Sequence, residues 1–346
     1  MKHVLVIRLS AMGDVAMTVP VIKALLQENA NVKVTVVSRP FFKPFFDEID
    51  RVDFFGVDLQ KRHKGFLGIY RLYKDLKKLK IDFVADFHNV LRSKILRTFF
   101  KLSGTKTAFT NKGRAEKKAL TRAENKVFKP VKSMVNRHIE TLKQLGFRVD
   151  VSKITFPKKV ELSQGVLKIT TEKSNNKWIG IAPFAQYKTK VYPADLMKEV
   201  IKKLAEKPSH KIFLFGGKNE LQQLVDLKQH LENVILVPEH FNFNQELQFI
   251  PHLNIMLSMD SGNAHIAAMY GVPVITLWGN THPFAGFVPF NQPLDNSLTP
   301  DLEKYPLLPT SVYGNKIIPG YEDVMRTIAP EKVVDKINDL LEIHLC

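Results

Sequence analysis

The chain has 346 residues, 45% of them hydrophobic, and this length exceeds what one core usually organises, so two globular domains are expected. No apolar run approaches the roughly 18 to 20 residues of a membrane span, and the single cysteine, Cys346, excludes an intrachain disulfide and favours a reducing compartment. The net charge is +17, and residues 1–170 contain 35 Lys and Arg against 15 Asp and Glu, which indicates an anionic partner for the first half.

The first half alternates between short apolar runs and amphipathic stretches, which predicts a parallel α/β sheet. The predicted strands are Val4–Leu9, Val32–Val37, Val52–Phe55 and Phe83–Asp86. The predicted helices are Val15–Gln27, Phe66–Leu79, Ser93–Leu102 and Met134–Leu145. Residues 147–176 lose this periodicity and contain Pro157 and Gly165, so we place the end of a first domain, residues 1–160, in this stretch.

The second half repeats the alternation, which predicts a second parallel-sheet domain over residues 175–329. Its predicted strands are Trp178–Ala182, Lys211–Phe215, Val234–Val237, Asn254–Met259 and Val272–Trp278. A last helix is predicted over residues 330–346, with a return to the first domain as one option. Ligands of such sheets bind at the carboxyl ends of the strands, so polar clusters at these ends are the candidate sites.

The turn after the strand Asn254–Met259 has the most informative pattern. It reads Asp260-Ser261-Gly262-Asn263, and a helix of small residues follows from Ala264 and His265. A helix that begins at Gly262 presents unpaired backbone N–H groups and a partial positive charge, both of which favour a phosphate. This turn therefore predicts a site for a phosphorylated or nucleotide-bearing substrate.

Two motifs, one in each half, resemble those of a known family. The first is Ile7-Arg8-Leu9-Ser10-Ala11-Met12-Gly13-Asp14-Val15, and the second is Asp260-Ser261-Gly262-Asn263-Ala264-His265, followed by Gly279-Asn280-Thr281. Together they resemble the ADP-heptose:lipopolysaccharide heptosyltransferases of glycosyltransferase family 9. The resemblance implies a GT-B architecture, with two Rossmann-like parallel-sheet domains that face a central cleft. It also implies an inverting transfer of heptose from a nucleotide-diphosphate donor, ADP-heptose, to a lipopolysaccharide-core or other envelope glycolipid, with no cofactor and no obligatory metal.

The catalytic residues that this resemblance implies are Asp14, which follows Gly13, and Lys190. Inverting displacement needs a carboxylate that accepts the proton of the attacking hydroxyl, and Asp14 matches the proposed base of the family. Negative charge grows on the leaving nucleotide diphosphate, and Lys190 matches a family lysine that contacts the donor. A cation fixed in place beforehand would lower the barrier without reorganisation.

The donor-binding residues that the resemblance implies lie in the second half. Asp260 and His265 match the acid and the histidine of the donor site, with the phosphate turn Ser261, Gly262, Asn263 and Ala264 between them. Glu220 matches loosely the acid that holds the nucleotide ribose.

Each of these residues has an alternative role. Asp14 is equally suited to stabilise the dipole of its own helix, and His265 to be a hydrogen-bonded core histidine. Lys190 lies in a lysine-rich segment and is also compatible with a solvated surface lysine. Glu220 follows Gly216-Gly217, which is also compatible with a simple tight turn after a strand.

Two other functions are compatible with parts of the pattern. One is another nucleotide-sugar transferase of the same fold, and a second is a non-catalytic basic protein that binds at the cell envelope. An oxidoreductase is disfavoured because Ser10–Asp14 contains only Gly13 where a dinucleotide-binding turn needs three glycines.

The densest basic stretch covers residues 61–78. Lys61, Arg62 and Lys64 are candidates for contact with an acidic membrane or an anionic acceptor, and Arg92 for contact with the acceptor. A solvated basic surface is the alternative. No known nucleic-acid-binding motif accompanies the lysines, so nucleic acid is not an expected partner. The expected location is the cytoplasm, peripheral at the cytoplasmic face of the inner membrane.

Overall fold

The computed structural model describes residues 1–157, 159–162, 164–170 and 176–343. The chain divides into two compact units, which we call the first and the second domain. The first domain consists of Met1–Arg114 and Lys132–Thr155, and the second of Ala115–Val131 and the chain from Phe156 onward. The segment Ala115–Val131 thus groups with the second domain, although it falls within the predicted range 1–160 of the first. Cys346 lies outside the described residues.

The first domain contains a five-stranded parallel sheet. Its strands are β1 (Lys2–Ile7), β2 (Val32–Ser38), β3 (Val52–Gly56), β4 (Phe83–Asp86) and β5 (Lys106–Phe109), in the order β3-β2-β1-β4-β5. Its helices are α1 (Met12–Ala16), α2 (Thr18–Glu28), α3 (Gly65–Lys77), α4 (Leu91–Leu102) and α6 (Met134–Gln144), and α5 (Arg114–Thr121) begins at the domain boundary. The central strand β1 is buried from His3 to Ile7, as expected for a sheet covered by helices on both faces.

The second domain contains a six-stranded parallel sheet. Its strands are β6 (Lys177–Ala182), β7 (His210–Leu214), β8 (Val234–Leu236), β9 (Ile255–Met259), β10 (Val274–Leu277) and β11 (Ser297–Leu298), in the order β11-β10-β9-β6-β7-β8. Its helices are α7 (Gln164–Thr170), α8 (Ala194–Ala205), α9 (Leu221–Lys228), α10 (Val237–His240), α11 (Phe243–Phe249), α12 (Gly262–Met269) and α13 (Pro330–Ile343). The prediction of two parallel-sheet α/β domains is confirmed.

The C-terminal helix α13 belongs to the second domain. Val333, Ile337 and Leu341, spaced four residues apart on one face, are buried in the same core cluster as Met197 and Ile201 of α8. The apolar face of the helix is therefore covered by its own domain. No helix in the described part of the chain is long and apolar enough to cross a membrane.

We call Ala115–Val131 the strap, because this segment of the first half is fastened to two loops of the second domain. The Lys126 ammonium donates to the carbonyl oxygens of Leu307, Leu308 and Pro309 at 2.5, 3.0 and 3.3 Å. The N–H of Val131 donates to the Phe284 carbonyl at 2.9 Å. The Phe128 ring packs on both His282 and Phe284, with ring centroids 5.0 Å apart in each pair. Burial and the charge of Lys126 lower the pKa of His282 to about 4, so this ring is neutral at pH 7.

Candidate active site

The first candidate residue, Asp14, lies in the first turn of α1, just beyond the carboxyl end of β1. Its carboxylate forms an ion pair with Arg8 at 2.5 Å and accepts the backbone N–H of Ala11 at 3.2 Å. The Asp14 side chain is 26% exposed, whereas that of Arg8 is 5% exposed. Asp14 therefore caps its own helix turn, and part of its side chain is exposed.

Arg8 is held rigidly beneath this carboxylate. Its guanidinium donates to the carbonyl oxygens of Ser10 at 2.9 Å and Phe87 at 2.8 Å. A guanidinium fixed by two carbonyls orients the carboxylate that it contacts. The sequence reasoning noted Arg8 only as part of the motif and missed this pairing, although its position at the end of the same strand was a usable signal.

The second cluster forms at the carboxyl edge of the sheet in the second domain. Lys190 follows β6 on a short 3₁₀ turn, Glu220 follows β7, and Asp260 follows β9; these three strands are neighbours in the order β9-β6-β7. Lys190 and Asp260 form an ion pair at 2.9 Å, with side-chain exposures of 13% and 10%. The structure thus brings two of the predicted residues into direct contact, and Lys190 is not a solvated surface lysine.

Asp260 is held by a residue to which the sequence reasoning gave no role. The Thr281 hydroxyl, in the loop after β10, donates to the same carboxylate oxygen that faces Lys190, at 2.8 Å. The backbone N–H of Asp260 donates to the Leu277 carbonyl of β10 at 3.1 Å. The backbone of Asp260 is therefore anchored to β10 and its carboxylate to the loop after β10, and the carboxylate holds the Lys190 ammonium in turn.

Two glycines allow the chain to approach Lys190 closely. A Cβ on Gly279 would lie 2.0 Å from the carbonyl oxygen of Thr189. Gly314 has φ +79°, and a Cβ there would lie 2.4 Å from Cδ of Lys190. Glycine is needed at both positions because any side chain would displace the turn that carries Lys190.

The predicted phosphate turn begins α12. Ser261 precedes the helix in an extended conformation, Gly262 is its first residue, and no side chain caps the helix start. Ser261, Gly262 and Asn263 are half-buried, whereas Ala264 and His265 are buried. The first N–H groups of α12 are thus available at the same edge as Lys190, and His265 lies one turn deeper in the helix.

The remaining candidates are more dispersed. Glu220 accepts the N–H of Gly217 at 2.6 Å, so one of its oxygens is used to close the turn after β7. The Arg62 guanidinium pairs with Asp75 at 2.7 Å, whereas Lys61 and Lys64 are exposed. Arg92 is the second residue of α4 and is half-buried.

The fold and these clusters define the class of protein. Two Rossmann-like parallel-sheet domains, with a carboxylate at a strand end of one and an acid–lysine pair beside a helix N-terminus of the other, are those of a GT-B glycosyltransferase. The chain belongs to glycosyltransferase family 9 (heptosyltransferase), whose family model matches residues 69–309. The resemblance inferred from the two motifs is therefore confirmed.

Individual relatives agree with this assignment. The chain is 24% identical over 294 residues to lipopolysaccharide heptosyltransferase 1 of Campylobacter coli, covering 80% of this chain and 83% of that protein. It shares its fold with ADP-heptose lipopolysaccharide heptosyltransferase II of E. coli, at a TM-score of 0.68 and 19% identity over the whole of both chains. The E. coli heptosyltransferase WaaC with ADP-2-deoxy-2-fluoro heptose is similar at a TM-score of 0.65 and 17% identity, over 97% of this chain and 99% of that one.

Proposed function

We propose that the protein transfers heptose from ADP-heptose to an anionic lipopolysaccharide-core or related envelope glycolipid, with inversion at the anomeric carbon. The observation that carries this proposal is the fixed Lys190–Asp260–Thr281 arrangement beside the open start of α12, in a family of heptosyltransferases. One similar solved structure contains ADP-2-deoxy-2-fluoro heptose, which supports ADP-heptose as the donor.

Asp14 is the general base of this proposal. The acceptor hydroxyl oxygen attacks the anomeric carbon of the donor, and the bond between that carbon and the β-phosphate oxygen breaks. The bonding electrons leave with ADP, and the hydroxyl proton passes to the Asp14 carboxylate. Arg8 holds this carboxylate in one orientation before the reaction, so no reorganisation is needed as the proton moves.

Lys190 and the start of α12 stabilise the leaving group. The ammonium is held at 2.9 Å by Asp260, which is itself fixed by Thr281. A cation and unpaired N–H groups placed in advance oppose the negative charge that grows on the β-phosphate. The pairing with Asp260 also explains how a lysine can be largely buried before a phosphate binds.

A donor screen with purified protein tests this function. We expect ADP release from ADP-heptose that depends on an added lipopolysaccharide-core acceptor, with little release from GDP- or UDP-sugars. Nucleotide release and the mass of the acceptor are both measured. Binding of NADH in place of any nucleotide sugar would contradict the proposal, and donor binding without acceptor modification would favour a non-catalytic envelope protein.

We further propose that the start of α3 contacts the acidic cytoplasmic face of the inner membrane, where the glycolipid acceptor lies. Phe66 and Leu67 are 62% and 68% exposed, and the exposed Lys61 and Lys64 lie a short way before them in the chain. Exposed apolar side chains next to cations are the features of a helix that binds at a membrane interface. Each cation near an anionic surface adds about 1 kcal/mol.

Vesicle sedimentation tests this contact. The wild-type protein should bind phosphatidylglycerol vesicles in a salt-sensitive manner, and Lys61→Gln/Lys64→Gln should lose the salt-sensitive part. Phe66→Ser/Leu67→Ser should weaken binding about tenfold or more at every salt concentration, because each side chain loses roughly 1.5 to 3 kcal/mol of apolar burial. Ile317→Ser, at a residue 63% exposed in the second domain, is the control. Equal binding by all variants would refute a contact through α3.

A further inference from the structure

Cationic side chains converge around Asp14 at the carboxyl edge of the first-domain sheet. Arg8 follows β1, Arg39 follows β2, His88 follows β4 and Lys112 follows β5. The strand register places these positions side by side, because Ile7 pairs with Val37 and Asp86, and Asp86 pairs with Phe109. Four groups that are basic or can become so therefore lie at one edge, together with the proposed catalytic base.

The acids at this edge do not neutralise the cluster. Asp14 pairs with Arg8, and Asp86 pairs with Arg97 at 2.9 Å while it accepts the N–H groups of His88 and Asn89. Lys112 forms no ion pair with any residue in the described ranges. The edge is thus left with positive charge that the protein itself does not balance.

The pKa values of Lys112 and His88 are both lowered at this edge. Burial, then Arg8 and Arg114, lower the pKa of Lys112 to about 8, while Asp14 and Asp86 oppose the shift. Burial, then Arg8, Lys112 and Arg39, lower the pKa of His88 to about 3, with Asp14 opposing. The side chains around the half-buried lysine and the neutral histidine are cationic. An anion that binds there would therefore stabilise both groups.

The neighbourhood also contains unused hydrogen-bonding capacity. Nδ1 of His88 and Oδ1 of Asn89 are buried and have no hydrogen-bond partner among the described residues. Asn89 is held in place because its Nδ2 donates to the Thr110 carbonyl at 2.9 Å. A buried polar atom without a hydrogen-bond partner lowers the stability of the fold. Such atoms are therefore candidates for contact with a polar ligand.

We propose that Lys112 and Arg39, with Arg8 behind Asp14, form a binding site for an anionic group of the acceptor, a carboxylate or a phosphate. This inference rests on the proposed function, because the bound anion would hold a nearby hydroxyl of the same sugar at Asp14. Lys112, at the end of β5, supplies a charge that is already partly desolvated, and the exposed Arg39 lies at the end of β2, beyond the ends of β4 and β1 along the same edge. The site specifies an acidic or phosphorylated sugar next to the accepting hydroxyl.

Kinetics with the acceptor test the role of Lys112. Lys112→Met should raise KM for the acceptor about 10- to 100-fold and leave KM for the donor unchanged, since a charge-assisted hydrogen bond is lost on one substrate only. Lys101→Met, at an exposed lysine of α4, is the matched control and should have no effect. A parallel rise of both KM values would overturn the assignment.

The pH dependence separates the charge of Lys112 from its shape. The ammonium is charged below about pH 8 and becomes neutral above it, so KM for the acceptor should rise as the pH passes about 8. Lys112→Arg should restore tight binding and flatten this rise, because arginine stays protonated throughout. A rise that persists in Lys112→Arg would overturn the assignment.

Direct anion binding keeps the inference testable even if heptose transfer is not observed. Inorganic phosphate and malonate are titrated separately into the full chain, and the His88 ring resonances are followed by NMR. We expect one or both anions to shift these resonances in the wild type and in Lys112→Arg but not in Lys112→Met. A shift by phosphate alone assigns a phosphorylated acceptor, and a shift by malonate alone assigns a sugar acid. No shift by either anion, or equal shifts in Lys112→Met, would refute the site.

Discussion

Asp14→Asn should reduce heptose transfer by about 10²- to 10⁴-fold, the usual contribution of a general base, while donor affinity changes less than about twofold. The amide cannot accept the hydroxyl proton, but its oxygen still accepts the Ala11 N–H that closes the first turn of α1. Transfer is measured in single turnovers with saturating donor, and donor affinity by calorimetry. Unchanged turnover would remove Asp14 as the base.

The control for this variant must account for the loss of an ion pair. Asp14→Asn leaves Arg8 with two carbonyl partners, Ser10 and Phe87, so the fold should persist with only a small loss of stability. Asp195→Asn breaks another aspartate–arginine pair, to Arg326 at 2.8 Å, and should leave transfer unaffected. If both variants lost activity equally, the effect would be one of stability and not of proton transfer.

Lys190→Met should weaken donor binding and lower kcat together, each by about tenfold or more, because in the proposed reaction the ammonium acts on the diphosphate before and during bond cleavage. The substitution also leaves the Asp260 carboxylate largely buried without its cation. Breaking a buried ion pair costs roughly 3 to 5 kcal/mol, and we expect the lower end because Thr281 still donates to the carboxylate. Calorimetry and thermal unfolding measure the two effects.

Two further variants separate catalysis from stability at this pair. Lys190→Met/Asp260→Asn removes both charges, so it should recover much of the stability without recovering transfer. Lys188→Met, at an exposed lysine two residues away on the same 3₁₀ turn, should change neither. Recovery of transfer in the double variant would show that Lys190 acts only by supporting the fold.

Lys190 can also be displaced without changing its charge. Gly314→Ala places a methyl group 2.4 Å from the lysine Cδ, whereas Gly320→Ala has the same left-handed backbone, φ +82°, with nothing within 4 Å. Both substitutions introduce similar backbone strain, so their difference isolates the position of the ammonium. Donor affinity should fall in Gly314→Ala and remain in Gly320→Ala.

The sequence predicted most of the two sheets and their principal turns because these features are local. Phe83–Asp86 was predicted with the bounds of β4, and the Asp260 turn followed from a buried strand, a glycine and a run of small residues. The ion pair between Lys190 and Asp260 was not predicted. It joins residues 70 positions apart, and only the neighbouring position of β6 and β9 brings them together.

Other parts of the site were missed for the same reason. The short strand β5 (Lys106–Phe109) has no strong apolar alternation and was not predicted, so Lys112 beyond its end was not recognised as a site residue. The basic residues that were singled out, Lys61, Arg62 and Lys64, stood out by density along the chain. A high density of basic residues along the chain indicates an exposed surface. The pKa values of Lys112 and His88 depend instead on burial and on charges from other strands.

The strap has a practical consequence for dissecting the protein. A fragment cut at the last domain boundary, from Phe156 onward, would lack Lys126 and Phe128. The carbonyl oxygens of residues 307–309 would lose the Lys126 ammonium, and the Phe284 ring would lose the Phe128 ring that packs on it. Phe284 is close in sequence to Thr281, whose hydroxyl orients the Asp260 carboxylate. A fragment that keeps these contacts of the second domain must therefore combine two discontinuous stretches of the gene, those for residues 115–131 and for the chain from Phe156 onward.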